Sequence, residues 1–231
     1  MRIYITLTEN NETIPFNYQH LLTSTLHKWL GRDNSYHGTE SFYCFSWLQN
    51  VSVTKKGIDL TPNSYFFVGS YDPLFIKKLM RGILENPTLF NGSRVKDLQI
   101  IENKEFSNSE RFLLASPLFL KRKTSDRSKV EHAVFSDRDF NQLLTENFKN
   151  KLEKAGLDSS AVNLEIDTNN PKNKTKLINY KGVFNRANFC PVIVQDIDFC
   201  PVIIQGTREQ IYFAWCTGLG HSTGIGFGAL K

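Results

Sequence analysis

Two rounds of strand-like and helix-like patterning predict an α+β chain of two tandem ferredoxin-like β-α-β-β-α-β domains, over residues 1–106 and 110–231. Three observations predict it. The first half alternates period-two apolar runs with apolar residues at helical spacing. The second half repeats that order. A short polar joint, Ser107-Asn-Ser-Glu110, separates the two.

In the first half, residues 2–8 alternate as a strand. Asn17 is placed to cap a helix that runs to about Leu30, with Gly31 as its stop. Leu22, Leu26 and Trp29 share one face of that helix, and His20, Ser24 and His27 form a polar stripe on the opposite face. A polar loop over residues 31–41 carries His37. Residues 42–49, 51–60 and 65–69 read as strands, with Lys55-Lys56-Gly57 as a turn. Asp72-Pro73 reads as an N-cap followed by proline at the first helical position, and that helix stops before Pro87. Residues 89–105 hold the closing strand.

In the second half, residues 111–123 read as a strand, leading into a basic polar loop over 121–129. Phe140, Leu144, Phe148 and Leu152 recur at i, i+4 spacing and predict a helix closed by Gly156. A β-rich stretch over 163–205 follows, interrupted by a Lys/Asn-rich segment. Within it FCPVIVQ (189–195) recurs as FCPVIIQ (199–205), a tandem duplication whose prolines disfavour a central ladder position. Thr207-Arg-Glu-Gln210 fits a capping box opening a helix with Ile211, Ala214 and Trp215 on its apolar face. Gly218 ends that helix. Five glycines then fall within eleven residues, 218–228, and alternating Ile225, Phe227 and Ala229 predict a closing strand.

The formal net charge of +5 leans towards an acidic partner. No apolar run reaches the length of a membrane span, and the first residues read as a strand and not as a signal peptide, so a cytoplasmic protein with no membrane partner is expected. The four cysteines show no C-x-x-C spacing, so no metal and no cofactor are expected, and the thiols read as reduced.

Gly220-His-Ser-Thr-Gly224 matches the G-x-S-x-G elbow of hydrolases. That elbow needs a strand before it, a helix after it, and acid and histidine partners further on. Here the order is reversed and neither partner follows Ser222. The glycine spacing also misses the dinucleotide fingerprint, and no Walker A pattern occurs. A glycine loop at a helix end, exposing backbone N–H groups, suits a phosphodiester backbone.

Four pieces together resemble the CRISPR-associated repeat-processing endoribonucleases of the RAMP superfamily. They are the opening MRIYITL with the first helix, the histidine loop before FYCFS (42–46), LASPL (114–118), and CPVII (200–204) followed by the helix and GLGHSTGIGFG (218–228). The last is the most specific. The resemblance implies an RRM/RAMP-like fold and CRISPR repeat RNA (pre-crRNA) as partner. It leaves CRISPR effector-complex subunits and a homodimer open as further partners. It implies cutting without metal, by attack of a ribose 2′-OH that leaves a 2′,3′-cyclic phosphate and a 5′-OH.

The family's loop histidine falls on His37, its first-helix tyrosine on His27, and its lysine before the next strand on Ser41. The last two are departures, and Lys28 is a substitute candidate for the missing cation. Imidazole suits this chemistry because its pKa lies near the working pH, so two histidines can divide the acid and base roles. The RNA-binding candidates are Gly218, Gly220, His221, Ser222, Gly224 and Gly226 of the glycine loop, Lys121, Arg122 and Lys123, and Lys174 and Lys176. The competing expectation is a non-catalytic RAMP/RRM-like RNA-binding subunit of an effector complex.

Overall fold

The computed structural model describes residues 1–31, 36, 41–122, 131–167, 173–180, 183–189 and 201–231. The first unit runs β1 (Arg2–Leu7), α1 (Gln19–Leu30), β2 (Tyr43–Phe45), β3 (Gln49–Val53), β4 (Ile58–Ser70), α2 (Pro73–Glu85) and β5 (Val95–Ile101). Its sheet is antiparallel in the order β2-β4-β1-β5, with β3 also paired to β4. Ile3, Ile5 and Leu7 alternate onto the face that the two helices cover, where Leu22, Leu26, Phe75 and Leu79 are fully or almost fully buried. Each such side chain contributes about 1.5–3 kcal/mol by leaving water.

The local signals read from the sequence act as expected at most positions. Asp72 accepts from the Leu74 N–H and Pro73 stands first in α2. Gly31 closes α1 at φ 84°. Asn17 does not cap α1: Tyr18 holds the N-cap position without a side-chain bond, and the Asn17 carbonyl instead takes the His20 ring. The two strands expected over 51–60 and 65–69 are joined differently. β4 runs unbroken through Pro62, because Asn50 at φ 54° forms a bulge opposite it and the Ser64 hydroxyl donates to the Asn50 carbonyl at 2.7 Å.

The second unit begins with β6 (Ser109–Phe112) and a two-residue ladder of β7 (Lys121–Arg122) with β8 (Glu131–His132). It continues with α3 (Phe140–Lys154), β9 (Asn163–Ile166), the hairpin β10 (Lys174–Tyr180) and β11 (Val183–Phe189), then β12 (Val202–Gln205) and α4 (Arg208–Thr217). Its sheet has the order β6-β12-β9, packed under α3 and α4. The continuous strand expected over 111–123 is only β6 and β7, joined by a segment with isolated bridges at Leu114 and Leu118.

Two expectations fail here for physical reasons. The second copy of the duplicated segment is the central strand β12, not an edge. Pro201 lies just outside the paired residues, where its missing N–H costs no ladder bond, and its carbonyl accepts from Asp167 at 2.9 Å. The first copy, beyond Phe189, lies outside the described residues. The closing strand is reduced to one bridge, Leu114 with Leu230, because Thr223–Ile225 forms a 3₁₀ turn. The last residues still lie beside the extension of β6, with Ala115 donating to the Ala229 carbonyl and Lys231 to that of Leu113, each at 2.7 Å. The ferredoxin-like neighbour order therefore survives without a regular fourth strand.

No helix among the described residues is long and apolar enough to cross a membrane.

Candidate functional site

Successive residues of α1 lie about 100° apart, and that spacing sorts its side chains. Leu22 and Leu26 point into the core. The Trp29 flank meets α2, where Gly82 lies directly against the Trp29 backbone and the Trp29 indole donates to the Asn86 carbonyl at 2.7 Å. The opposite flank carries Thr23, His27 and His20. The 3₁₀ turn Thr223–Ile225 packs against both α1 and β2. His27 is half-buried. The His20 Nδ1 lies 2.7 Å from the Asn17 carbonyl. A carbonyl only accepts, so Nδ1 carries the proton and the neutral ring presents Nε2 as an acceptor.

Lys28, the candidate substitute cation, is exposed and bonded within its own unit. One residue on from His27, it swings about 100° away. Its ammonium donates to the Thr88 carbonyl at 2.6 Å, on the α2 side, and partial burial lowers its pKa. His37 lies outside the described residues.

Ser41 stands where the chain enters β2, and it touches the glycine segment. A Cβ on Gly224 would overlap the Ser41 hydroxyl and lie 3.0 Å from the Tyr43 hydroxyl. The Tyr43 hydroxyl donates to the Gly224 carbonyl at 3.3 Å, the Trp47 indole to that of Gly226 at 2.8 Å, and the Thr223 hydroxyl to that of Ser41 at 3.4 Å. Burial raises the Tyr43 pKa, opposed by its bond with Ser41. The turn is thus clamped onto residues 41–47 of the other unit.

This corrects the reading of the glycine stretch as a flexible exposed loop. Gly218, Gly220, Gly224 and Gly226 are buried. Gly218 (φ 70°) fits against Gly228 and Cys44, Gly220 (φ 71°) against the Phe119 carbonyl, and Gly226 (φ 87°) against the Phe45 ring. Close approach and positive φ explain the glycines without a ligand. The N–H groups of Leu219, His221 and Gly228 are taken by the carbonyls of Gly228, Phe119 and Pro117. His221, Ser222 and Ile225 are the half-buried residues of this segment, and Ser222 adopts the left-handed conformation at φ 63°.

A residue not anticipated is Lys151 of α3, only 5% exposed. Its ammonium donates to the Thr217 carbonyl at 2.8 Å, the Gly218 carbonyl at 3.3 Å and the Thr223 hydroxyl at 3.3 Å. A signal existed: Lys151 interrupts the apolar face set by Leu144, Phe148 and Leu152.

The basic candidates of the second unit divide. Lys121 is exposed, with its ammonium 5.5 Å from the Phe119 ring centre. Its N–H donates to Nδ1 of His221 at 3.2 Å, and the other ring nitrogen lies 3.3 Å from the Asn147 amide. Arg122 is engaged within its own unit. It pairs with Asp139 at 2.7 Å and Asp137 at 3.0 Å, which ties β7 to the start of α3. Lys174 and Lys176 are exposed along β10, and Arg186 is exposed on β11. His132 lies among them. Its Nδ1 accepts from the Arg186 N–H at 2.9 Å, and burial with Lys121 and Arg186 lowers its pKa. Lys123 lies outside the described residues. Among the described residues no group of three or more His, Cys, Asp or Glu side chains is arranged to hold a metal ion.

Residues 101–231 match the family model described as CRISPR associated protein Cas6, C-terminal. Over its full length the chain is 25% identical to 98% of a Pyrococcus furiosus protein described provisionally as a CRISPR-associated endoribonuclease-like protein Cas6. It superposes over its full length on 97% of a solved structure of a Cas6-related gene product from Pyrococcus furiosus, with a TM-score of 0.82 at 22% identity. A solved RAMP protein described as binding different RNA substrates gives 0.79 at 20% identity over 98% of its chain. A Cas6 product complex gives 0.66 at 11% identity over 100% of its chain. At these identities the structural likeness shows the fold, tandem ferredoxin-like units of the RAMP type.

Proposed function

Since the chain belongs to the Cas6 family of CRISPR-associated proteins, we propose that it is a cytosolic, metal-independent endoribonuclease that binds CRISPR repeat RNA and cuts it within the repeat. The observation that carries this reading is the position of His27. It is half-buried on α1, the helix that packs against the glycine turn, and the same turn lies against Ser41 and the Tyr43 hydroxyl. The scissile phosphate lies at this seam. A ribose 2′-OH attacks the adjacent phosphorus, and the bond to the 5′-oxygen breaks. A base takes the 2′ proton and an acid returns one to the leaving oxygen. His27 and His37 divide these roles, each contributing roughly 10²–10⁴-fold. The Ser41 hydroxyl donates to the developing phosphorane charge where family members commonly place a lysine. Lys121, Lys174, Lys176 and Arg186 follow the RNA backbone across the second unit. Each phosphate they neutralise contributes a fall of roughly 0.7 in log K per unit of log salt.

The test uses cognate repeat RNA in EDTA with wild type, His27→Ala and His37→Ala. Cleavage by wild type, with 2′,3′-cyclic phosphate ends, and its loss in both variants are expected. Replacing the attacking ribose with 2′-deoxyribose should abolish cutting and leave binding intact. A need for metal, or cleavage of the deoxy substrate, would sink the mechanism. One observation favours a second reading, an RNA-holding subunit that does not cut: Lys28 is committed to Thr88 and position 41 carries no cation. Tight binding without cleavage under every condition identifies that case.

A further inference from the structure

We propose that Lys151 is a positioning residue for the cut: through Thr223 it fixes the backbone at Ser41 and so couples the second unit to the start of β2 in the first. The inference rests on the endoribonuclease reading above.

An ammonium has three N–H donors, and three acceptors among the described residues lie around Lys151. Two are the carbonyls of Thr217 and Gly218, at the end of α4. Such carbonyls have no partner within the helix and form the negative end of its dipole. The third is the Thr223 hydroxyl. That hydroxyl has one proton, and with Lys151 donating into its oxygen the proton is directed to the Ser41 carbonyl, 3.4 Å away. The chain Lys151–Thr223–Ser41 therefore starts in α3, passes through the glycine turn and ends where the loop after α1 enters β2.

Packing alone does not call for this ammonium. Burying it costs several kcal/mol before its bonds are made, and a methionine of similar length would fill the same volume. The feature that methionine lacks is the set of polar anchors. Ser41 follows His37 by four residues in the sequence, and its hydroxyl lies so close to Gly224 that a Cβ there would overlap it. A displacement of about 1 Å at a reacting group costs on the order of 10²-fold in rate.

The experiment compares wild type with Lys151→Met, Thr223→Val, Thr223→Ser and the Lys151→Met/Thr223→Val double variant. It measures single-turnover cleavage at saturating protein, Kd on the uncleavable 2′-deoxy RNA, melting temperature, and amide exchange over 41–47 and 219–228. Lys151→Met and Thr223→Val should each cut at least about tenfold more slowly, with Kd changed by less than about threefold. Both should speed exchange at 41–47 as well as at 219–228. Thr223→Ser should keep the wild-type rate, and the double variant should be no slower than the worse single one. Wild-type cutting by folded Lys151→Met overturns the proposal. So does faster exchange confined to 219–228, or a Kd that loosens in step with the rate. If Lys151→Met does not fold, Thr223→Val carries the same comparison. A wild type that does not cut overturns the endoribonuclease reading, and exchange at 41–47 then decides the coupling alone.

Discussion

The Trp47 indole, in the first unit, donates its N–H to the carbonyl of Gly226, in the last segment of the second, at 2.8 Å. Gly226 is held there at φ 87°, where a Cβ would come within 2.6 Å of the Phe45 ring. An alanine here meets two costs: a left-handed backbone, about 1 kcal/mol, and overpacking, about 1–3 kcal/mol. Gly31 provides the control, because its φ is also positive, 84°, but none of the described residues comes within 4 Å of its Cβ position. Gly226→Ala should lower the melting temperature by about 4–15 °C and Gly31→Ala by only about 2–4 °C. Equal shifts would mean that Phe45 yields and the seam is looser than described.

His27 and Lys28 are neighbours in sequence, and about 100° of helix rotation separates their side chains on α1. His27→Ala should cut cleavage by roughly 10²–10⁴-fold while leaving RNA affinity within a few-fold. Lys28→Ala removes one bond to the Thr88 carbonyl, worth about 0.5–1.5 kcal/mol, and should leave the rate at saturation unchanged. Single-turnover rates of the two variants separate the flanks. A larger loss for Lys28→Ala would place the phosphate on the α2 side of the helix.

What the sequence shows and what it hides follows from where each partner sits. Asp72-Pro73, the capping box at Thr207 and the apolar face of α1 are legible because their partners lie within a turn of them. The glycines of 218–228 are legible as glycines. Whether they face a ligand or press on protein depends on Ser41, Phe45 and Phe119, more than ninety residues away in the chain by number. The same holds for Lys28, whose partner Thr88 lies 60 residues on. The expected last strand fails because the 3₁₀ turn Thr223–Ile225 takes its first residues, and the partners of that turn, Ser41 and Tyr43, lie in the other unit. Lys151 was visible only as a charge inside an apolar register. Its carbonyl partners come from another helix end.

His132 gives a pH prediction with a definite sign. Its Nδ1 accepts from the Arg186 N–H, and burial, Lys121 and Arg186 all lower its pKa below the usual 6.5. The folded form therefore binds this proton less readily than the unfolded form does. Stability from this group is complete above about pH 6.5 and is lost as the pH falls towards the lowered folded value. The melting temperature of wild type should fall more between pH 7.5 and 5.5 than that of His132→Asn, which keeps an acceptor and cannot titrate. Parallel curves would mean that Arg186 and Lys121 lie farther from the ring in solution.

Arg2 carries the last prediction. It is fully buried, with its guanidinium 4.0 Å from the Phe67 ring centre and 3.9 Å from that of Trp215, and it donates to the Trp215 carbonyl. One ring belongs to the first sheet and the other to α4, so the side chain is a wedge between the units. Burial lowers its pKa, opposed by Cys44, Tyr4 and Cys216, and its Nε and Nη1 lie within hydrogen-bonding geometry of no partner among the described residues. The buried charge is thus incompletely compensated, and its cation–π contacts, about 2 kcal/mol each when desolvated, offset that. Arg2→Ala removes the wedge and leaves a cavity, so it should cost about 3–5 kcal/mol in urea unfolding. Arg2→Met refills the slot and discards the charge, so it should cost about 1 kcal/mol or less. If the two variants are equally damaging, the charge between the rings, and not the volume, joins the two units.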